Sequence, residues 1–277
     1  MGLREAVLLP LSSEYNSIDN VISGLSALEK ALRAARDRRS VYLTACVVMT
    51  REIRRRMRQR LFGDSVWVTR YVVSFANLYR KYLADFELDN LEAVPKPWLI
   101  SFATSKNGKG LLTQDLLLSV NAYINHDLAW ALDGALIDPH RATCYQDYVV
   151  INQALSAVTS LLKERIESLY LPGLRLLGKA LSPRTDEIAS FSVEKASENA
   201  WESAVALANA HNERERATVL RCVEDRSAVL ARLLALPTIE HPVLIPILRS
   251  LEANIPWWEP LSPYRRYRGK TLGARLR

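Results

Sequence analysis

The chain has 277 residues, of which 49% are apolar and 24% charged, and this globular composition excludes disordered and fibrous proteins. Its three cysteines, Cys46, Cys144 and Cys222, lie far apart, which argues against a zinc ribbon or redox pair and favours a reducing compartment. Most of the net charge of +7 lies in residues 264–277, which hold basic side chains and no acid, so we predict one helical domain, 1–263, followed by a basic tail.

Helical periodicity runs through nearly the whole chain. Apolar residues recur at steps of three and four, whereas alternating strand patterns are almost absent. The predicted helices are 17–37, 41–61, 64–87, 98–105, 111–136, 145–170 and 174–181, then helices that start at Ser192 and Asn212, and an amphipathic stretch from Pro242 to Pro256. The sequence therefore predicts an all-α fold, an irregular multi-helix bundle.

No leader or membrane segment is expected. The first apolar run, residues 6–11, is too short for the core of a signal peptide, and no run reaches the roughly 18 residues of a membrane span. We therefore expect a cytoplasmic protein without a membrane span.

The segment 111–136 is apolar around almost its whole circumference, which is typical of a central, buried helix. Gln114, Asn121 and Asn125 interrupt the apolar surface in one stripe. A buried amide without a partner costs about 1 to 3 kcal/mol, so these side chains must form hydrogen bonds. Two interpretations stay open: an internal network that joins helices, or the polar floor of an apolar ligand pocket.

The same helix carries the best acid/base candidate, Asp127, which falls among apolar residues on the helical wheel. A carboxylate there needs a cation or hydrogen-bond donors, or it holds a proton at neutral pH. The alternative is a buried ion pair with an arginine of residues 51–60. The wheel turns His126 toward Asp115 and Asp133, so we expect an exposed histidine.

Two further groups have a structural and a functional interpretation. Tyr145, Tyr148 and Asn152 share a face of the helix 145–170, either as core residues or as a pocket wall with phenol donors. The arginines of residues 51–60 form either a solvated face or a phosphate-binding or ion-pairing surface. Nucleic acid binding is expected only through the basic tail 264–277, for which a solvated terminus is the simpler interpretation.

The words NAYINHDL at 121–128 resemble the signature Asn-Ala-His-Ile-Asn-x-Asp-Leu of a bacterial family catalogued as a domain of unknown function. The segments 66–79, 145–155 and 191–201 are similar as well. The resemblance implies an all-helical fold and no particular reaction. Asn121, Asn125 and Asp127 match the signature, whereas Tyr123 stands at its histidine position and His126 at its variable position.

Motifs for metals and cofactors are missing from the sequence. It has four histidines but no His-Glu-x-x-His, Walker loop or dinucleotide fingerprint, so we expect no cofactor and no histidine-rich metal site. A carboxylate metal site stays open.

Our first functional hypothesis is an enzyme of bacterial specialised metabolism, a cyclase, isomerase or hydrolase that binds a hydrophobic small molecule and uses metal-free acid/base or hydrogen-bond catalysis. The candidate catalytic residues are Asp127, His126 and Tyr123, and the candidate substrate-binding residues are Asn121, Asn125, Gln114, Tyr145, Tyr148 and Asn152. The alternative is a non-catalytic ligand-binding or scaffold protein in which the amide stripe is purely structural.

Overall fold

A computed structural model describes residues 3–108, 110–138, 142–170 and 183–235. These ranges are almost wholly helical and contain no strand, which confirms the predicted all-α bundle. In chain order the α-helices are α1 (Leu3–Leu8), α2 (Ile18–Ala34), α3 (Ser40–Arg58), α4 (Ser65–Glu87), α5 (Lys96–Asn107), α6 (Leu112–Ala122), α7 (Leu128–Gly134), α8 (Ala142–Tyr170), α9 (Pro183–Ala208) and α10 (Glu213–Ala235). A π-helical turn, Tyr123–Asp127, joins α6 to α7.

Side-chain caps fix the start of several helices where the sequence places them. Ser17 accepts a hydrogen bond from the backbone N–H of Asn20, and Asp64 accepts one from that of Trp67. Asn212 does the same for the N–H of Glu215 at the start of α10. A cap of this kind satisfies a backbone donor that has no partner within the helix.

The predicted helix start at Ser192 is wrong, because Ser192 lies inside α9. That helix begins at Pro183, and proline suits a first helical position, where no backbone N–H is needed. The predicted segments 174–181 and 242–256 and the basic tail lie outside the described residues. In the described ranges, none of the helices is both long enough and apolar enough to cross a membrane.

The continuous helix formed by α6, the π turn and α7 lies in the middle of the bundle. It packs against α3, α4, α5, α9 and α10. The sequence predicts a central, buried helix that is apolar around almost its whole circumference, and the structure departs from this at Leu117, whose side chain is half exposed on the outer side. A large aromatic cluster packs on the inner side, and its fully buried members include Trp98, Tyr79 and Phe102.

A buried ion pair secures the loop that precedes this central helix. The Arg38 guanidinium donates from Nε to Asp115 Oδ2 at 2.6 Å and reaches the carbonyls of Gly108 and Gly110. Asp115 therefore faces a buried arginine at the start of α6, which fixes where the central helix enters the core.

Candidate active site

The candidate site lies on the π turn, Tyr123–Asp127, within the NAYINHDL segment. The backbone N–H of Leu128 donates to the carbonyl of Tyr123, a five-residue step instead of the four of an α-helix. Such turns occur mostly as single bulges inside α-helices and frequently mark functional sites. The bulge changes which way the side chains that follow it point.

His126 is buried, so the prediction of an exposed histidine is wrong. The wheel places His126 in the sector of Asp115 and Ser119, and that sector is itself buried, so its polar side chains do not mark an outer face of the helix. The imidazole packs against two aromatic rings, with centroid distances of 6.2 Å to Tyr82 and 5.9 Å to Trp130. The structure thus places a histidine in the core, beside the acid that follows it in the chain.

Asp127 is fully buried and is held through both carboxylate oxygens. Its Oδ2 accepts a hydrogen bond from Trp98 Nε1 at 2.8 Å, and its Oδ1 lies 2.7 Å from His126 Nδ1. The alternative of an ion pair with an arginine of residues 51–60 is wrong within the described part of the chain. Those arginines bond elsewhere, for example Arg54 to Asp19.

Burial raises the pKa of the Asp127 carboxyl, and the hydrogen bonds from His126 and Trp98 oppose that effect in part. The carboxyl therefore holds a proton more readily than an exposed aspartate does. Next to an imidazole, such a group can share one proton with the ring. The short Oδ1–Nδ1 distance is one over which a proton can pass, as general acid/base catalysis requires.

The two ring nitrogens of His126 have different surroundings. Nδ1 faces Asp127, whereas Nε2 forms no hydrogen bond with any residue that the structure describes. A carboxylate on Nδ1 fixes the orientation and tautomer of an imidazole and leaves Nε2 to accept a proton. In this arrangement Asp127 orients the imidazole, and Nε2 is the ring nitrogen that has no partner among the described residues.

Tyr123 lies at the other end of the π turn and is buried. Its hydroxyl lies beside that of Tyr71, and its ring meets Phe75 edge-on at 4.5 Å. Burial raises the pKa of the Tyr123 phenol, so it stays protonated at neutral pH. Tyr123 can donate a proton in a hydrogen bond but is not a phenolate base.

Cys46 is a further reactive residue type near the pair. It is buried on α3, and Asp127 and Tyr42 lie close enough to influence its ionisation. Burial raises the pKa of the Cys46 thiol to about 12. Since the thiolate is the nucleophilic form, Cys46 is not an activated nucleophile.

The predicted amide stripe binds protein groups, chiefly on α10. Asn121 Nδ2 donates to the carbonyl of Ser227 at 3.0 Å, and Gln114 Nε2 donates to that of Leu234 at 2.6 Å. Asn125 Nδ2 donates to the side-chain oxygen of Asn121 at 3.0 Å. These hydrogen bonds are of the kind that the first interpretation predicts, an internal network that joins helices. A role of the amides in substrate binding stays a prediction.

The predicted tyrosine wall on α8 faces α9 instead of the central helix. The Tyr148 hydroxyl donates to the carbonyl of Ser197 at 2.9 Å and is also bonded by Asn152. Tyr145 is half exposed and meets Trp201 edge-on. The structure therefore brings together Tyr123, His126 and Asp127 but places Tyr145 and Asn152 apart from them.

Trp98 is the residue that sequence reasoning missed. It lies in the first turn of α5 and supplies the indole donor to Asp127. Its signal was available, because a buried tryptophan N–H usually needs an acceptor and a buried carboxylate needs donors. The sequence could not show that the two meet, since 28 residues separate them along the chain.

Metal-ligating side chains do not gather in the described residues: no group of three or more His, Cys, Asp or Glu is placed to hold a metal ion.

The comparison with protein families gives one match, to the family described as "Family of unknown function (DUF5995)", over residues 18–237. The matched region starts with α2 and reaches just past the end of α10. No curated protein and no solved structure matches the chain significantly.

Proposed function

The chain belongs to the DUF5995 family, whose function is unknown, and we propose that this member is an enzyme that performs acid/base chemistry on a small molecule with His126 and Asp127. The observation that carries the proposal is the 2.7 Å contact between Asp127 Oδ1 and His126 Nδ1, together with an Nε2 that bonds no described residue. A histidine oriented in this way is a general base of the kind used throughout enzymology.

The proposed step moves a proton between the substrate and His126. Nε2 removes a proton from the substrate or from a water molecule, and the resulting imidazolium is stabilised by the Asp127 carboxylate. The proton then returns to another atom of the substrate or to the leaving group. This sequence consumes no oxidant or reductant, and it suits an isomerase, a cyclase or a hydrolase.

The surroundings of His126 favour an uncharged, apolar substrate. Tyr82 and Trp130 present aromatic rings to the imidazole, and Trp130 is only partly buried. The indole Nε1 of Trp130 is nevertheless shielded from solvent and has no hydrogen-bond partner among the described residues. It is a donor that can bind a carbonyl or hydroxyl oxygen of the substrate. A place in bacterial specialised metabolism stays a prediction from the sequence.

The test uses His126→Asn, because an asparagine can keep a side-chain N–H toward Asp127 but has no ring nitrogen to accept a proton. We would incubate wild-type and variant protein with mixtures of small apolar metabolites in D₂O and follow consumption, new products and deuterium uptake by mass spectrometry. Circular dichroism and thermal melting would show that both proteins are folded. His211→Asn, an exposed histidine, is the matched control.

We expect a compound that is converted or deuterated by the wild type and by His211→Asn but not by His126→Asn. Conversion that survives in folded His126→Asn contradicts the proposed role of the pair. Compounds that bind equally to all three proteins without change favour the second candidate.

The second candidate is a non-catalytic ligand-binding or scaffold protein. The observation in its favour is that Asn121 and Gln114 bond backbone carbonyls of α10 and so serve the packing of helices. A wild-type protein that converts no compound, while it retains apolar molecules in equilibrium binding, supports this alternative.

A further inference from the structure

The side chain of Trp98 packs among aromatic rings in the core, and its indole N–H also forms a specific hydrogen bond. Its side chain is fully buried, stacked on Phe102 at 5.0 Å between ring centroids and met edge-on by Tyr79 at 5.1 Å and Tyr42 at 5.4 Å. With the ring held by three aromatic neighbours, the direction of its N–H is fixed. That direction ends on Asp127 Oδ2, 2.8 Å away.

We propose that Trp98 is the positioning residue of the pair: its indole N–H anchors Oδ2 of Asp127 so that Oδ1 faces Nδ1 of His126 and the imidazole keeps its proton on Nδ1. This inference rests on the proposed function of His126 and Asp127, and it adds a third residue from a different helix. Trp98 touches no reactant in this arrangement, so it acts only through Asp127.

The physical reason lies in how a carboxylate rotates. The last torsion of an aspartate is broad, so one hydrogen bond from the neighbouring imidazole leaves the group free to turn. A second bond, from a donor that cannot move, fixes both oxygens. A donor to the carboxylate also favours its ionised form, and an ionised Oδ1 can only accept, which requires the proton on Nδ1 of His126.

The other groups near Asp127 do not replace the indole. The titratable side chains that face Asp127 are His126, Tyr42, Cys46, Tyr82 and Tyr123. The Tyr42 hydroxyl lies beside the Cys46 thiol, a weak hydrogen-bond group, and that of Tyr123 lies beside the Tyr71 hydroxyl. Of this set only His126 shares a hydrogen bond with the carboxylate, and Trp98 supplies the other.

The experiment compares two buried tryptophans, of which only Trp98 donates a hydrogen bond to Asp127. Trp67 is also buried, with its ring stacked on Tyr71 at 5.9 Å, but its Nε1 has no hydrogen-bond partner among the described residues. Trp98→Phe and Trp67→Phe remove the same atoms from a packed ring. Nitrogen-15 NMR of the histidine rings then reports the tautomer of His126, which a loss of packing alone does not change.

In the wild type we expect His126 with its proton on Nδ1, and we expect the same in Trp67→Phe. In Trp98→Phe the Nδ1–H tautomer loses its dominance, and the apparent pKa of the pair moves by about one unit, a tenfold change in proton binding. An unchanged tautomer and titration in folded Trp98→Phe overturn the proposal for Trp98 while leaving the pair intact. A wild-type His126 with its proton on Nε2 overturns the pair itself.

A measurement on the wild type keeps the inference testable even if Trp98→Phe does not fold. The indole N–H resonance of Trp98 must shift as the Asp127 carboxyl binds a proton, because the indole donates to that carboxylate. The resonance of Trp67, whose Nε1 bonds no described residue, must not shift with it. A Trp98 resonance that does not change with the protonation of Asp127 contradicts the positioning role.

Discussion

The central helix carries two kinds of buried polar contact, and they differ in what they can do. The anchoring contacts, made by Gln114, Asp115 and Asn121, bind backbone carbonyls or a buried arginine. The reactive contacts are those of His126 and Asp127, two side chains that can each bind or release a proton. Both kinds lie on one helix, within a few turns of each other.

The difference shows that burial of a polar residue does not by itself indicate chemistry. An amide bonded to a carbonyl is neutral over the whole physiological pH range, so this bond stabilises packing and transfers no proton. An aspartate bonded to a histidine can change its protonation state at the same depth. The NAYINHDL segment thus combines asparagines that anchor the helix with a pair that is suited to proton transfer.

The largest effect is expected when an anchoring ion pair is broken. Arg38→Met leaves the carboxylate of Asp115 buried without its cation, and such a loss costs about 3 to 5 kcal/mol. Urea unfolding followed by circular dichroism measures it. Arg55→Met is the control, since Arg55 is exposed and pairs with Glu52, and solvent screening makes such a pair contribute little to stability. Equal losses in the two variants would contradict the anchoring role of Arg38.

A moderate effect is expected at the amide that joins the central helix to α10. Asn121→Ala removes the donor to the Ser227 carbonyl and should lower the free energy of unfolding by about 1 to 3 kcal/mol. The tautomer of His126 should not change, because Asn121 does not touch the pair. If Asn121→Ala keeps its stability but changes the tautomer of His126, the two kinds of contact belong to one network, and this prediction is contradicted.

A smaller effect, visible only as a pH dependence, is expected at Asp127. Its raised pKa means that the folded state binds the proton more tightly than the unfolded state. The stabilisation is complete below the ordinary carboxyl value of 3.8 and is lost as pH rises through the raised pKa. The unfolding free energy of the wild type, minus that of Asp127→Asn, should therefore fall as pH rises above 3.8. A difference that is flat with pH would contradict the assignment.

The smallest effect is expected at the thiol of Cys46, which lies near Asp127. With the pKa of Cys46 raised to about 12, iodoacetamide at pH 8 should leave it unmodified in the native protein while the exposed Cys222 reacts. Peptide mass spectrometry identifies the alkylated cysteines, and unfolded protein serves as the positive control. Rapid alkylation of native Cys46 would show that this thiol belongs with the reactive groups.

Sequence reasoning found the helices and the candidate segment but not the arrangement of its side chains. Gln114, Asn121 and Asn125 had to be hydrogen-bonded, and the structure supplies partners on α10 and within the stripe. The prediction for His126 failed because the polar sector of the wheel, which also holds Asp115, is buried against neighbouring helices. Trp98 could not be paired with Asp127, since nothing local shows which two elements meet.

What the sequence determined by itself is the all-helical architecture, the starts of helices at residues such as Ser17 and Asp64, and the central position of 111–136. These follow from local causes, namely capping hydrogen bonds and the spacing of apolar residues along one helix. The tertiary structure alone decided the π turn, the inward histidine and the contact between Trp98 and Asp127. Those features depend on which helices pack together, and packing is a property of the whole chain.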